Sequence, residues 1–237
     1  MMGADWANWL GPAEWQAVRL SIRVSFWATL VSLPLGIFVA YVLARWDFWG
    51  KQVLNGLVHL PLILPPVVTG YLLLVTFGRR GSAGQVLEAW FGIILSFRWT
   101  GAAVAAAVMA FPLMVRAIRL AIEAVDPKLE AAASTLGASR LWVFVTVTLP
   151  LILPGVIAGA ILAFAKAMGE FGATITFVSN IPGQTQTIPS AIYAFLQVPG
   201  GEEAAGRLVI VAIVIAMSAL LVSEFVARRV ARLVGGS

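Results

Sequence analysis

Three groups of polar residues interrupt an otherwise apolar chain, and their types limit the chemistry open to them. Glu130, Ala131 and Ala132, followed by Gly137, join one hydrogen-bond acceptor to a run of small side chains. That combination suits close contact with another surface, since bulk there would hold two surfaces apart. Asp126 before Pro127 fits a helix start, with the aspartate as cap and the proline in the first turn. A short helix of this kind either lies passively on lipid or offers a rigid knob to a soluble partner. Gly137 lets the chain turn without a β-carbon, and a plain helix C-cap is an equal reading.

The second group is Lys166 and Glu170, four positions apart and so on one side of a helix. An ionisable pair beside a membrane span is a functional candidate, and an ion pair that merely holds a helix end is the bland alternative. The third is the neutral stretch Ser179, Asn180, Gly183, Gln184, Thr185, Gln186 and Thr187, stiffened by Pro182 and Pro189, with Thr174 and Thr176 upstream. Neutral hydroxyl, amide and backbone N–H donors can hold an anion without gripping it, which a transient site requires. A polar loop closing an apolar gate would have the same composition. A carboxylate facing such a path would repel an anion, so Glu170 reads as support for a gate.

The elements that position these groups must cross a membrane. Apolar residues make up 60% of 237 positions and charged residues only 11%, where a soluble domain carries about 25%; mean hydropathy is +0.94. No core in a chain of this size hides that much apolar surface from water. The net charge of +5 comes from Lys and Arg scattered beside apolar runs, which fits juxtamembrane anchoring and not nucleic acid. The chain has no cysteine, which excludes disulfide and thiolate chemistry and any Cys-ligated metal; no metal site is assigned. Asp5 and Glu14 sit in an N-terminal stretch without the basic region of a signal peptide, so the first apolar segment is expected to stay.

Five spans are expected, near 24–43, 54–77, 101–122, 149–168 and 208–225. The first has about 20 residues without a charge, enough for about 30 Å of hydrocarbon. The second contains Pro61, Pro65, Pro66 and Gly70 and is expected to be kinked or broken. The third is rich in alanine, which permits close helix approach. Residues 79–98 hold too short an apolar run to span and read as interfacial or re-entrant. Residues 123–148 form the main polar interruption. With the C-terminal arginines Arg228, Arg229 and Arg232 placed in the cytoplasm, Arg45, Lys51, Arg116, Arg119, Lys128 and Arg140 join them, against Arg19, Arg23, Arg79, Arg80, Arg98 and Arg207 outside. This balance puts the N-terminus out and the C-terminus in.

The pattern Glu130-Ala131-Ala132, Gly137, then Leu149-Pro150 resembles the cytoplasmic motif of permease subunits of binding-protein-dependent ABC transporters. Leu60 to Tyr71, Gly78-Arg79-Arg80-Gly81, Phe111 to Arg116, Gly169 to Thr174, Asn180 to Gly183 and Thr185 to Pro189 are similar to the molybdate permeases of that family. The resemblance covers nearly the whole chain. It implies an all-α, polytopic transmembrane helical bundle with the type I ABC importer permease fold. It also implies a homodimer in the bacterial inner membrane, with the N-terminus periplasmic and the C-terminus cytoplasmic.

Each copy would rest on one of two ATPase subunits through Glu130, Ala131, Ala132 and Gly137, the loop 123–148 acting as coupling segment. A periplasmic binding protein would deliver a tetrahedral oxyanion, and the second and fourth spans would line the cavity. Glu170, Thr174, Ser179, Asn180, Thr185 and Thr187 are the pathway or gate candidates. No cofactor is expected on this chain; ATP and Mg belong to the ATPase, because the sequence has no GxxxxGK[ST] phosphate loop. Sulfate and tungstate permeases share part of the pattern and leave the cargo open. A membrane scaffold that only recruits a partner is a competing class, and a proton-coupled carrier is disfavoured by the scarcity of embedded ionisable residues.

Overall fold

The computed structural model describes residues 9–234, with the side chains at 223, 226–228 and 230–234 outside the description. Asp5 and the side chains of Arg228 and Arg232 therefore lie outside the described residues. Among the described residues the chain is all helical, with no strand.

Helix α1, Pro12–Arg45, runs for 34 residues. Pro12 opens it, and Glu14 folds back to accept from the Gly11 backbone N–H, a capping arrangement. The apolar run expected at 24–43 lies inside this longer helix, so Arg19 and Arg23 are helical residues and not its flanks. Both are exposed, and long side chains of this kind can carry their charge to the interface while the stem stays on apolar surface.

Helices α2, Lys51–Ile63, and α3, Pro66–Phe77, meet at a bend of 114°. Pro65 and Pro66 cause it, because the residue before a proline is driven from helical to extended backbone; Leu64 has φ −71° and ψ 145°. Helix α4, Ser82–Phe91, is short and ends on Gly92 at φ +65°. The polar interruption is itself structured. It holds the end of α5, Trp99–Glu123, then α6, Pro127–Thr135, α7, Arg140–Val143, and a π-helical turn, Phe144–Thr148, that runs directly into α8, Leu149–Met168. Two short helices, α9, Gly172–Val178, and α10, Ile188–Leu196, precede α11, Glu202–Val234.

Helix α5, Trp99–Glu123, is the axis of the bundle: 61% of its most apolar window is buried, against 28% for α1 and 11% for α11. Its buried stripe of Ala102, Ala105, Ala106, Met109, Met114 and Ile118 explains why small residues matter. A β-carbon on Gly155 of α8 would stand 2.2 Å from Ala121 Cβ, and one on Gly159 would stand 3.1 Å from Ile118 and the Met114 carbonyl. These contacts make α8 antiparallel to α5.

Helix α1 runs parallel to α5. Arg23 lies 3.8 Å over the Trp99 ring at one end, and Arg45 Nη2 donates to the Val125 carbonyl at 3.0 Å at the other. We call the Arg23–Trp99 end the upper pole and the Arg45–Val125 end the lower. Helix α11 starts beside the start of α1, where Leu10, Val18, Ile188, Ala191 and Leu208 form a second apolar cluster. Among the described residues four helices are long and apolar enough to cross a membrane, and the bent α2–α3 pair brings the number to as many as five.

Candidate functional site

The sequence candidates separate to the two poles. At the lower pole α6 begins as its residue types dictate: the Asp126 carboxylate accepts from Lys128 N at 2.9 Å. No residue of α6 is buried, so the helix lies on the surface of the lower pole. Ala131 and Ala132 are exposed, and Gly137 turns the chain at φ +86° with nothing within 4 Å of where a β-carbon would lie.

The exposed tip also carries large apolar side chains, of which the sequence reading takes Leu141 and Trp142 only as leading back to the membrane and does not single out Leu136. Leu136 is 88% exposed, and Leu141 and Trp142 stand out nearby. Their signal was available, as apolar residues inside a polar interruption, which in water mark a partner surface. Ala133, Leu136, Gly137, Ala138, Ser139 and Trp142 line a shallow groove there.

Glu130 points the other way. Its Oε1 accepts from Arg45 Nη2 at 3.2 Å and from Thr148 Oγ1 at 2.9 Å. An arginine of the same chain, at the end of α1, thus meets this carboxylate. Neither Arg45 nor Thr148 was singled out as its partner in the sequence, since separations of 85 and 18 residues carry no periodic signal. Nearby, Lys51 Nζ sits 2.8 Å from Asp47 and holds that carboxyl below its usual range, through the hydrogen bond first and the charge second.

At the upper pole Glu170 is 3% exposed. One carboxylate oxygen accepts from Lys166 Nζ at 2.9 Å and the other from Ala173 N at 3.0 Å, so the residue joins the end of α8 to the first turn of α9. Such a carboxylate satisfies orphan N–H groups at a helix start. Thr174 is buried and donates to the Phe171 carbonyl at 2.8 Å.

The hydroxyls of the neutral stretch close the turn they belong to. Thr185 Oγ1 accepts from Ile181 N at 2.9 Å and donates to the Ser179 carbonyl at 3.1 Å. Thr187 Oγ1 lies 3.4 Å from Ser190 Oγ, and Asn180 Nδ2 donates to the Ser190 carbonyl at 3.4 Å, leaving Asn180 Oδ1 buried without a partner among the described residues. Ser179 itself has φ +65° and ψ −168°, a region otherwise almost confined to glycine. Two further residues belong to this pole. Ser21 Oγ accepts from Ile188 N at 2.7 Å, and Glu14 accepts from Arg207, so the polar turn and α10 are fastened to α1 and α11.

Among the described residues no group of His, Asp and Glu is placed to hold a metal ion. Two features stand at opposite poles, an exposed knob at one and a strained, hydrogen-bonded turn at the other, joined by α1 and α8.

Comparison with known proteins gives this arrangement its context. Residues 32–235 match the family described as binding-protein-dependent transport system inner membrane component. The chain is 64% identical over 215 residues to the molybdenum transport system permease protein ModB of Escherichia coli K12, covering 91% of this chain and 94% of that one. It is 56% identical over 222 residues to the ModB protein of Haemophilus influenzae, covering 94% and 97%. In three dimensions it is similar to a chain in the crystal structure of a bacterial alginate ABC transporter bound to a periplasmic protein carrying an alginate pentasaccharide. The TM-score is 0.75 at 18% identity, over 98% of this chain and 84% of that one, which gives a shared type I ABC importer permease fold.

Proposed function

The chain belongs to the binding-protein-dependent transport system inner membrane component family, and on that premise we propose that it is the membrane-spanning permease subunit of an ATP-driven molybdate importer. The cargo follows from identity above half of all positions with two molybdenum permeases over more than nine-tenths of both chains. The observation that carries the mechanism is the position of α6, which lies on the surface of the lower pole with Leu136 exposed at its tip. An ATPase subunit with an apolar groove fits that knob. ATP binding and hydrolysis, with Mg, belong to that partner, and this chain supplies no catalytic group.

Two copies pair about a two-fold axis, each resting on one ATPase, and a periplasmic oxyanion-binding protein meets the upper pole. Arg45, Lys51, Arg119, Lys128 and Arg140 accompany the lower pole, which the positive-inside tendency assigns to the cytoplasm; the N-terminus is then periplasmic and the C-terminus cytoplasmic. Movement of α6 passes up α8 to Glu170 and α9, and up α1 to Ser21 and α10. The turn at 179–187 acts as the outer gate, with its hydroxyls holding it shut.

The test is reconstitution in liposomes with the ATPase and the binding protein, following labelled molybdate against unlabelled tungstate and sulfate. ATP-dependent uptake is expected. A stable complex with no uptake would favour a scaffold, and uptake driven by a pH gradient without ATPase would favour a secondary carrier.

A further inference from the structure

We infer that Arg45 and Thr148 are positioning residues that, through one carboxylate oxygen of Glu130, lock the docking helix α6 to α1 and α8 of the same subunit. The inference rests on the importer reading for its consequence and on geometry for its substance. One carboxylate oxygen of Glu130 receives both the Arg45 guanidinium, at 3.2 Å, and the Thr148 hydroxyl, at 2.9 Å. The side chains of Glu130 and Arg45 are only 18% and 15% exposed, so this pair is screened far less than a surface ion pair. The same Arg45 nitrogen also donates to the Val125 carbonyl between α5 and α6. Arg45 Nε is buried without an acceptor, so loss of Glu130 would leave the cation with that carbonyl as its one remaining partner among the described residues.

Thr148 is 1% exposed and closes the π-helical turn that leads into α8; turns of this type are frequent where a helix must yield for function. One helical turn before Arg45, Tyr41 meets Phe144 of the same π-turn edge to face, with ring centroids 5.2 Å apart. The end of α1 therefore grips both the docking helix and the root of α8. A displacement of α6 cannot occur without either moving both long helices or breaking the Glu130 contacts. A knob held only by its flanking loops would swing without moving the bundle.

The experiment uses the full complex in liposomes and two readouts, backbone hydrogen exchange across 127–135 and ATP-driven molybdate uptake. Thr148→Val keeps shape and removes the hydroxyl; Arg45→Gln removes the charge. Both are expected to retain the ATPase on co-purification, to speed exchange of the α6 amides about tenfold, and to lower uptake about tenfold, the size of effect that losing one charge-assisted hydrogen bond produces. Thr148→Ser is expected to restore both readouts, and the exchanged pair Arg45→Glu with Glu130→Arg to exceed Arg45→Glu alone. Parent-like exchange and uptake in Thr148→Val and Arg45→Gln, or an exchanged pair no better than the single variant, overturns the inference. Failure of the unaltered complex to transport would instead remove the importer reading, while hydrogen exchange would still decide whether the lock exists.

Discussion

Arg207 holds Glu14 with two nitrogens, Nε at 2.8 Å and Nη2 at 3.2 Å, across a separation of 193 residues. The carboxylate is 3% exposed and the guanidinium side chain 22%, and together they tie the start of the first helix to the start of the last. Removing Arg207 leaves the buried Glu14 carboxylate with the Gly11 backbone N–H as its remaining partner among the described residues, which destabilises the fold because a buried charge loses its counter-ion. Arg207→Ala is therefore expected to lower the thermal unfolding midpoint of the purified protein clearly. Replacing both residues, with Glu14→Met and Arg207→Leu, should recover much of the loss, because a well-packed apolar pair avoids desolvation. A midpoint unchanged in Arg207→Ala would show that the pair carries no net stability.

Gly70 and Gly56 make a controlled comparison of helical glycines. A β-carbon at Gly70 would stand 2.5 Å from the Ala173 carbonyl oxygen and 2.8 Å from Thr176 Cβ, so α3 and α9 must separate to admit it. Gly70→Ala is expected to destabilise by about 1–3 kcal/mol and to impair uptake, since α9 adjoins the gate. Nothing lies within 4 Å of a β-carbon at Gly56, and Gly56→Ala should stabilise by up to about 1 kcal/mol through helix propensity alone. Equal midpoints for the two variants would contradict the close approach of α3 to α9.

How much of this was legible in the sequence depends on the range of the interaction. The helical bundle and its span count follow from long apolar runs, which report the solvent directly. The extension of α1 upward past Arg23 does not, because an arginine that snorkels looks like a flank in a hydropathy pattern. Asp126 and Pro127 announced the start of α6 by local chemistry. Its inward-facing Glu130 was invisible, because Arg45 reaches it across 85 residues. The hydroxyls of Thr185 and Thr187 were recognised as donors, but sequence alone does not reveal that the Ser179 carbonyl and Ser190 would take them up. Nor does a serine advertise a left-handed backbone.

Gly137 separates backbone strain from steric fit at the docking tip. Its φ of +86° disfavours any residue with a β-carbon, yet the chain itself leaves the space open. Gly137→Asn is expected to retain ATPase co-purification, since asparagine tolerates this backbone region. Gly137→Val should weaken it severely, and Leu136→Ala should weaken it by more than about 1 kcal/mol, as truncation of an exposed apolar anchor does. Full association of Leu136→Ala would move the docking surface elsewhere on the lower pole.

Thr185 tests whether the polar turn at the upper pole is a gate held by its own hydroxyls. The side chain bridges Ile181 N and the Ser179 carbonyl and is 2% exposed, so Thr185→Val strips a partner from two backbone groups at once. A buried unsatisfied group costs about 1–3 kcal/mol, and the turn also carries the strain of Ser179. Thr185→Val is therefore expected to loosen the turn, raising hydrogen exchange over 179–187 and uncoupling uptake from ATP. Thr187→Val should do much less, because its hydroxyl makes only a 3.4 Å contact with Ser190. Ser179→Gly would relieve the backbone strain and is expected to raise the unfolding midpoint. If instead the two threonine variants lower molybdate uptake alike, with exchange in the turn unchanged, the hydroxyls act on the substrate and not on the turn.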